Sequence, residues 1–598
     1  MIRVADYVLK RLHEAGVDHV FYVPGGQCVY LMDAIRRAEN VKGIGMHHEQ
    51  AVTMAALSYA TYNENIGAGI VTTGCAGTNT MTGLLHAYQD SIPLIMVSGQ
   101  QNYEHTVKAS GLPLRQVGIQ EADIETIVKP ITKYAVTVEH AEEIAYHLDK
   151  ALYLAKDGRK GPVWIDLPLN VQNAMVNEET LERFIPKNKP LNLTEDDLND
   201  VISLYQNAKR PVLLVGNGVR SAHAKKELKD LAYKYNLPIV FSRLAADILP
   251  YDDKYNFGLI GGVAGANRYA NFIVQNSDLV LAIGSRLSIE VTGPARRDFA
   301  REAKIVVVDV DRIEHTKNGV HIDKFVHADA LSFINGLIEA NVASASDAWL
   351  DTCKHWKEIF DYPENHEDNA LIDMKIFMSK LSKIAPKNTV YVSDAGFTGA
   401  AAPCATKLKE NDRFILALSQ GEMGYALPGS LGIAPLNDGP VVSYNGDGSV
   451  MMNLQELQTL VRNQANVKVV IINNNGYSGV RHGQKAHFRG KSIGTDPSNG
   501  LDFPSYEKIA AAFGINYLKI ASYQDFDKLP QIFKDNLPLV VEVYTDPEQF
   551  DLHNGLVMYG KRKFGFRPIE DQSPYIDRET FFKEMIVKPM DTSSGTPM

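Results

Sequence analysis

A chain of 598 residues exceeds what one hydrophobic core serves, and three domains of about 150–200 residues each are expected. Its 45% hydrophobic and 22% charged residues suit an ordinary globular protein, and a net charge of −10 argues against a nucleic-acid or anionic-membrane surface. Four well-separated cysteines, Cys28, Cys75, Cys353 and Cys404, include no CxxC pair, which argues against a disulfide framework or a zinc site.

The opening MIRVADYVLKRLHEAG reads as an amphipathic helix and lacks the apolar core of a signal peptide. No run of about 18 apolar residues occurs, so no membrane span is predicted and a cytoplasmic location is expected. Short apolar runs ending in Gly, Asp or Asn then alternate with helical patterns, the signature of βαβ units and parallel sheets. The first set comprises HVFYV (19–23), AGIVTT (68–73), LIMVSG (94–99) and VWIDLP (163–168), within a domain spanning 1–180. PKNKPLNLTED (186–196) reads as a linker. PVLLVGNG (211–218), PIVF (238–241), LVLAIGS (279–285) and IVVVDVD (305–311) build a second domain, 191–345. VYVSDAG (390–396), FILALSQGEMG (414–424), PVVSYNGDG (440–448), VKVVIINNN (467–475) and LVVEVYTD (539–546) build a third, 370–550. The predicted class is therefore α/β, with three consecutive Rossmann-like parallel-sheet domains. A tail, 551–598, shows no clear strands and is expected to wrap over the third domain or to close a site.

The most informative motif is Gly446-Asp447-Gly448-Ser449, followed 27 positions after Asp447 by Asn474. Glycines at a strand end let backbone N–H groups approach a diphosphate, and a following helix favours negative charge there. Two oxygen-bearing side chains at neighbouring strand ends can hold a hard cation whose other ligands are phosphate oxygens. GDGS and the paired asparagines at this spacing resemble the thiamine diphosphate (ThDP) motif of the acetolactate synthase-like family, and the resemblance continues across nearly the whole chain. It implies pyrimidine-binding, central and diphosphate-binding domains in that order. It also implies ThDP with Mg2+ held by Asp447, Asn474 and the carbonyl of Gly476, with Tyr477 and Ser478 beside the cofactor.

His47-His48-Glu49-Gln50 opens a helix. In the family this acid faces the cofactor's aminopyrimidine, which is bound mainly by the third domain of a second subunit. A largely buried glutamic acid has a raised pKa and can relay a proton there. Gly421-Glu422-Met423-Gly424 carries the family's bulky apolar residue at Met423 and a cofactor-facing carbonyl at Gly421. Gly396 and Thr398 fall in the segment that meets the diphosphate. Gln120 matches the family's glutamine beside the reacting carbonyl. His47, His48, Gln100, Gln101 and His105 are further polar candidates at the mouth of the site, each equally readable as a structural residue. Thr72–Asn79 matches a turn near the cofactor, with Cys75 read as a small buried residue in preference to a reactive thiol.

The resemblance implies a 2-oxo acid decarboxylase-carboligase. Such an enzyme moves an acetyl-type unit from pyruvate to a carbonyl acceptor, here a second pyruvate, a keto sugar or an aldehyde. A homodimer or homotetramer with sites between subunits is implied as well. Leu287-Ser288-Ile289-Glu290 stands where biosynthetic acetolactate synthases carry Phe-Asp-Asp-Arg, and both 102–116 and the tail depart from theirs. Those departures leave the acceptor open. Gly216-Asn217-Gly218 and Asp309-Val310-Asp311 are Rossmann-like pieces that leave a bound FAD open too. The alternatives are a simple decarboxylase releasing an aldehyde and a non-catalytic nucleotide- or flavin-binding relic of the fold.

Overall fold

The computed structural model describes residues 1–187, 191–367, 370–549 and 551–597; positions 188–190 of the expected linker and the final residues of the expected third domain and tail, 550 and 598, lie outside them. Three six-stranded, wholly parallel sheets carry the chain. The first uses β1 (His19–Tyr22), β2 (Lys42–Gly45), β3 (Gly67–Val71), β4 (Leu94–Gln100), β5 (Tyr134–Thr137) and β6 (Pro162–Pro168), in the order β2-β1-β3-β4-β6-β5.

The middle sheet uses β7 (Pro211–Val215), β8 (Ile239–Phe241), β9 (Asn256–Leu259), β10 (Leu279–Ile283), β11 (Lys304–Asp309) and β12 (Lys324–His327). Its order, β9-β8-β7-β10-β11-β12, is that of dinucleotide-binding sheets, with the switch in winding direction between β7 and β10. The third sheet repeats the topology of the first. It runs β14 (Arg413–Leu416), β13 (Val390–Ser393), β15 (Val441–Gly446), β16 (Val467–Asn473), β18 (Leu539–Tyr544), β17 (Asn516–Ile520). The Val- and Ile-rich central strands are buried on both faces, as parallel strands covered by helices must be.

The first and third domains share one core. Helix α1 (Glu49–Asn63) buries every residue from Ala51 to Ala60, so its apolar surface runs all round instead of along one stripe. It packs on α4 (Ala426–Ile433), and the approach requires small residues: a Cβ on Gly432 would lie 2.1 Å from Ala55 O. Tyr425 OH and Ser58 Oγ, 2.6 Å apart, close the same contact.

A buried ion cluster ties all three domains together. Arg220 donates to Glu64 Oε1 (2.7 Å) and Asp247 Oδ1 (2.5 Å), and Arg413 Nε donates to Asp247 Oδ2 (2.7 Å).

The tail differs from expectation. Leu556–Gly560 (β19), Lys563–Phe566 (β20) and Thr596–Pro597 (β21) form a small antiparallel sheet, and although Asp551 pairs with buried Lys375 of the third domain, the segment from 569 onward packs on the middle domain. The reason is a set of groups that need that surface. Ile569 and Phe581 enter the middle core, and wholly buried Glu570 accepts from Arg301 (2.8 Å). Among the described residues no helix is long and apolar enough to cross a membrane.

Burial pushes the Asp247 carboxyl up, but Arg220 and Arg413 pull it down to about 2. A depressed folded-state value gives stability that is present above the unfolded value of about 3.9 and lost as pH falls from there towards about 2. Asp247→Ala leaves buried Arg220 and partly buried Arg413 short of a partner and is expected to cost about 3–5 kcal/mol in chemical denaturation at neutral pH. A loss below about 1 kcal/mol there would contradict this role for the cluster.

Candidate active site

The register of the third sheet sets Gly446 of β15 opposite Ile472 of β16, so Asp447 and Asn474 emerge at adjacent strand ends. Asp447 is buried. Its Oδ1 accepts from Gly448 N and its Oδ2 from Gly476 N, both at 2.8 Å, while Tyr506 OH donates to its carbonyl. Burial pushes this carboxyl up to about 6, against the pull of the two amides and of Arg481. A cation alongside would reverse that penalty.

Asn474 Nδ2 donates to Ser478 Oγ (3.0 Å), which leaves the amide oxygen as the group free to ligate. Buried Arg481 holds the intervening backbone through Asn475 O (3.0 Å), Asn474 O (3.3 Å) and Pro547 O (2.6 Å). Gly476 O accepts from Ser478 N (3.0 Å) across Tyr477, whose φ of −81° and ψ of 74° form an inverse γ-turn.

Among the described residues no three His, Cys, Asp or Glu side chains gather to hold a metal. A cation here would draw on one carboxylate, one amide oxygen and one backbone carbonyl, and take the rest from its ligand. That oxygen-rich, incomplete set suits Mg2+ bridging to phosphate.

The expected diphosphate residues converge on the same edge. A Cβ on Gly446 would lie 3.7 Å from Ser449 Oγ and 3.9 Å from Thr398 Oγ1. Gly396, at φ +73°, begins helix α3 (Gly396–Ala405), and Gly421 sits at φ +56°. Around both, a Cβ would meet nothing within 4 Å, so each turns bare backbone to open space. Gly448 is different: a Cβ there would lie 2.0 Å from the ring of Tyr477. Met423 is half-buried in the loop before α4. Buried Asp394, at the end of β13, fixes that loop by accepting from Gly424 N (3.1 Å) and Tyr425 N (3.2 Å).

Glu49 and Gln120 stand on the first domain. Glu49 begins α1, half-buried in the single chain, and accepts from Asn79 Nδ2 (2.9 Å). Its neighbour Gln50 reaches the third domain, where Asn453 Nδ2 donates both to Gln50 Oε1 (3.1 Å) and to Gly424 O (2.8 Å). Gln120 is exposed at φ +60°, and its carbonyl would lie 2.3 Å from a Cβ on Gly74.

Cys75 corrects the sequence reading. It is exposed, because the left-handed turn at Gly74 puts the first residue of a short helix, Cys75–Asn79, at the surface and turns Ala76 and Gly77 inward.

Four of the five further polar candidates carry structural bonds, and the fifth, His105, is exposed in a short turn, Tyr103–His105. His47 Nδ1 pairs with Thr459 Oγ1 (2.9 Å), His48 caps α1 through Gln50 N (3.1 Å), and Gln101 Nε2 donates to Ile119 O (2.6 Å). Gln100 is buried between Thr73, Ala122 O and Asp166. Asp394, Asn453 and Arg481 escaped the sequence reading, which had Asn79 only as the end of the Thr72–Asn79 turn. A carboxylate ending the strand VYVSD was the one available signal among them.

A cavity of about 830 Å³ opens at the switch point of the middle sheet and is lined in part by Asn217, Gly218, Gly284, Arg286, Asp309 and Asp311.

Two glycine substitutions test the edge geometry. Gly421→Ala meets open space and carries the left-handed backbone penalty of about 1–2 kcal/mol. Gly476→Ala adds an overlap, since its Cβ would lie 2.0 Å from Thr495 O at a φ of +130°, and is expected to be the more destabilising of the two in denaturant titrations. The reverse ranking would contradict the described turn.

Comparison with known proteins bears on the family to which the chain belongs. Models described as thiamine pyrophosphate enzyme, N-terminal TPP binding domain, central domain and C-terminal TPP binding domain match residues 2–127, 198–337 and 394–543. The acetolactate synthase large subunit of Parasynechococcus marenigrum (strain WH8102) is 30% identical over 558 residues, covering 90% of this chain and 87% of that protein. Acetolactate synthase isozyme 1 large subunit of Escherichia coli (strain K12) is 29% identical over 91% of this chain and 94% of its own length. The probable acetolactate synthase large subunit of Methanocaldococcus jannaschii is 29% identical over 91% and 92%. With three ThDP-enzyme domains in order and full-length similarity of this kind, the chain belongs to the acetolactate synthase-like family of thiamine diphosphate-dependent enzymes.

Proposed function

We propose that this enzyme decarboxylates a 2-oxo acid, pyruvate in the first instance, and transfers the resulting acetyl-type unit to a carbonyl acceptor, using ThDP and Mg2+ at the edge of the third sheet. The observation that carries the reading is the pairing of buried Asp447 with Asn474 at adjacent strand ends, a cation site left incomplete by the protein. Asp447, Asn474 and the carbonyl of Gly476 would hold Mg2+. Gly446, Gly448, Ser449, Gly396, Thr398, Tyr477 and Ser478 would cradle the diphosphate with amides and hydroxyls. When bound, ThDP supplies the electron sink for cleaving the bond between the 2-oxo carbon and its carboxylate.

The carbonyl of Gly421 and the side chain of Met423 would orient the aminopyrimidine. Glu49 would hold and move a proton at that ring, and Gln120 would orient a substrate oxygen. Because Glu49 is half-buried in one chain, a second copy covering it fits both the proton role and the assembly of the family as a dimer or tetramer.

The acceptor is a second pyruvate, a keto sugar or an aldehyde. The names of the relatives favour pyruvate. The departure at 287–290 favours another carbonyl compound, since Glu290 is committed to an ion pair with Arg243. FAD is proposed for the cavity of the middle sheet, supported by its strand order and by the close crossing of the Gly216 and Gly284 loops, where a Cβ on Gly216 would lie 2.1 Å from Gly284 O. A yellow purified protein that releases free flavin on denaturation is the expected result; a colourless one would remove FAD.

Incubation with pyruvate, ThDP and Mg2+ and a panel of acceptors, read by mass spectrometry, tests the reaction. A new carbon–carbon bond is expected, whereas acetaldehyde alone would identify a simple decarboxylase. Glu49→Gln should keep its fold and lose about 100-fold or more in turnover. Asp447→Ala should lose the Mg2+-dependent rise in thermal midpoint that ThDP gives the unaltered enzyme; an unchanged rise would contradict the metal assignment.

A further inference from the structure

The loop that presents Gly421 and Met423 is gripped from the first domain by a buried ionic clamp. His86 lies on helix α2 (Met81–Gln89), 1% exposed, between two carboxylates. Its Nδ1 stands 2.6 Å from Glu422 Oε1 and its Nε2 3.3 Å from Asp90 Oδ2. Glu422 is the residue between Gly421 and Met423, and its second oxygen is buried without a partner in the chain. Asp90 extends the grip backwards along the loop. It accepts from Leu418 N and Ser419 N (both 3.4 Å) and from the Ser419 hydroxyl, and Arg286 of the middle domain donates to that hydroxyl (2.5 Å). Gln420 Nε2 donates to Gln89 Oε1 (2.6 Å). The loop is thus anchored at three consecutive residues before Gly421, 418–420, and at Glu422 beyond it, by one turn of α2 and the residue after it.

We propose that His86 is a positioning residue for the cofactor: as an imidazolium shared by Glu422 and Asp90, it fixes the 418–424 loop so that Gly421 and Met423 hold the aminopyrimidine. The inference rests on the assignment of ThDP to this edge. The ionic state follows from the surroundings. Burial alone would lower the His86 pKa, but the two carboxylates raise it to about 10, so the ring is charged at neutral pH. Without it, two carboxylates face each other in a dry interface, and the loop must shift to reach water. Asp394 and Asn453 hold the far side of the loop at Gly424 and Tyr425, so the displacement falls on 419–423.

ThDP affinity in the presence of Mg2+, measured by calorimetry on the full chain, tests this against a purely structural role. His86→Ala is expected to weaken ThDP binding at least tenfold as well as lowering the thermal midpoint without cofactor. The double variant His86→Gln with Glu422→Gln, which replaces the His86–Glu422 ion pair by a neutral hydrogen-bonded pair, should return affinity to within about threefold of the unaltered enzyme, because Glu422 is then neutral and Asp90 keeps the Leu418 and Ser419 amides, the Ser419 hydroxyl and the Arg286 guanidinium at 4.0 Å. Should His86→Ala fail to fold, the double variant and Glu422→Gln alone decide the matter: the single change is expected to bind ThDP more weakly than the double. A fall in thermal midpoint with ThDP affinity unchanged within twofold, or a double variant no better than either single change, would overturn the proposal. Asp447→Ala run alongside separates the two claims. If it binds ThDP as tightly as the unaltered enzyme, the cofactor assignment itself fails, and the clamp's role with it.

Discussion

A carboxylate taken out of water is costly, and the candidate site is built around one that the fold buries at a strand end. Asp447 is held at the end of β15 by two backbone amides and shielded by the edge of the sheet, with its pKa pushed up to about 6. Every surrounding feature serves that carboxylate. The amides of Gly448 and Gly476 reach it where a Cβ would strike the Tyr477 ring or Thr495 O, Arg481 fixes the loop that brings Gly476, and Asn474 adds a second oxygen from the neighbouring strand. The protein stops short of a complete ligand set, and a divalent cation carrying a diphosphate would satisfy both the charge and the coordination.

The rest of the architecture aligns a second surface with this edge. The first and third domains repeat one topology, and α1 and α4 pack so closely through Ala and Gly that the two cannot slide independently. Glu49 begins α1, and the loop of Gly421 and Met423 runs directly into α4. The position of the proposed acid and the shape of the pyrimidine cradle are therefore consequences of a single helix–helix contact. The Arg220–Asp247–Arg413 cluster adds the middle domain to the same rigid body.

Much of this was legible in the sequence, because strands buried on both faces write themselves as runs such as VVSYN and VKVVII, and glycines at their ends mark where backbone must approach a ligand. The strands that escaped, KGIG, YAVT, NFGL, KFVH and NYLKI, all lie at sheet edges; four of them are partly solvated, and the buried NFGL has its apolar run broken by Asn256 and Gly258. The tail misled for a related reason: its Lys, Arg and Pro content hid Ile569 and Phe581, which pack into the middle core. Cys75 was misjudged because burial in a turn depends on the φ of the preceding glycine, which composition does not report. The His86–Glu422 pair could not have been found at all. Its partners are 336 residues apart, and each looks like an ordinary surface residue until α2 meets the third domain.

The central claim concerns where one cation and one diphosphate sit, and a crystal structure of the enzyme grown with ThDP and magnesium tests it most directly. The account predicts electron density for a metal bonded to Asp447 Oδ, Asn474 Oδ1 and the carbonyl of Gly476, with phosphate oxygens completing the shell and a Glu49 carboxyl within hydrogen-bonding distance of the pyrimidine ring. A metal held by other side chains, or a diphosphate bound away from the β15 and β16 strand ends, would contradict it.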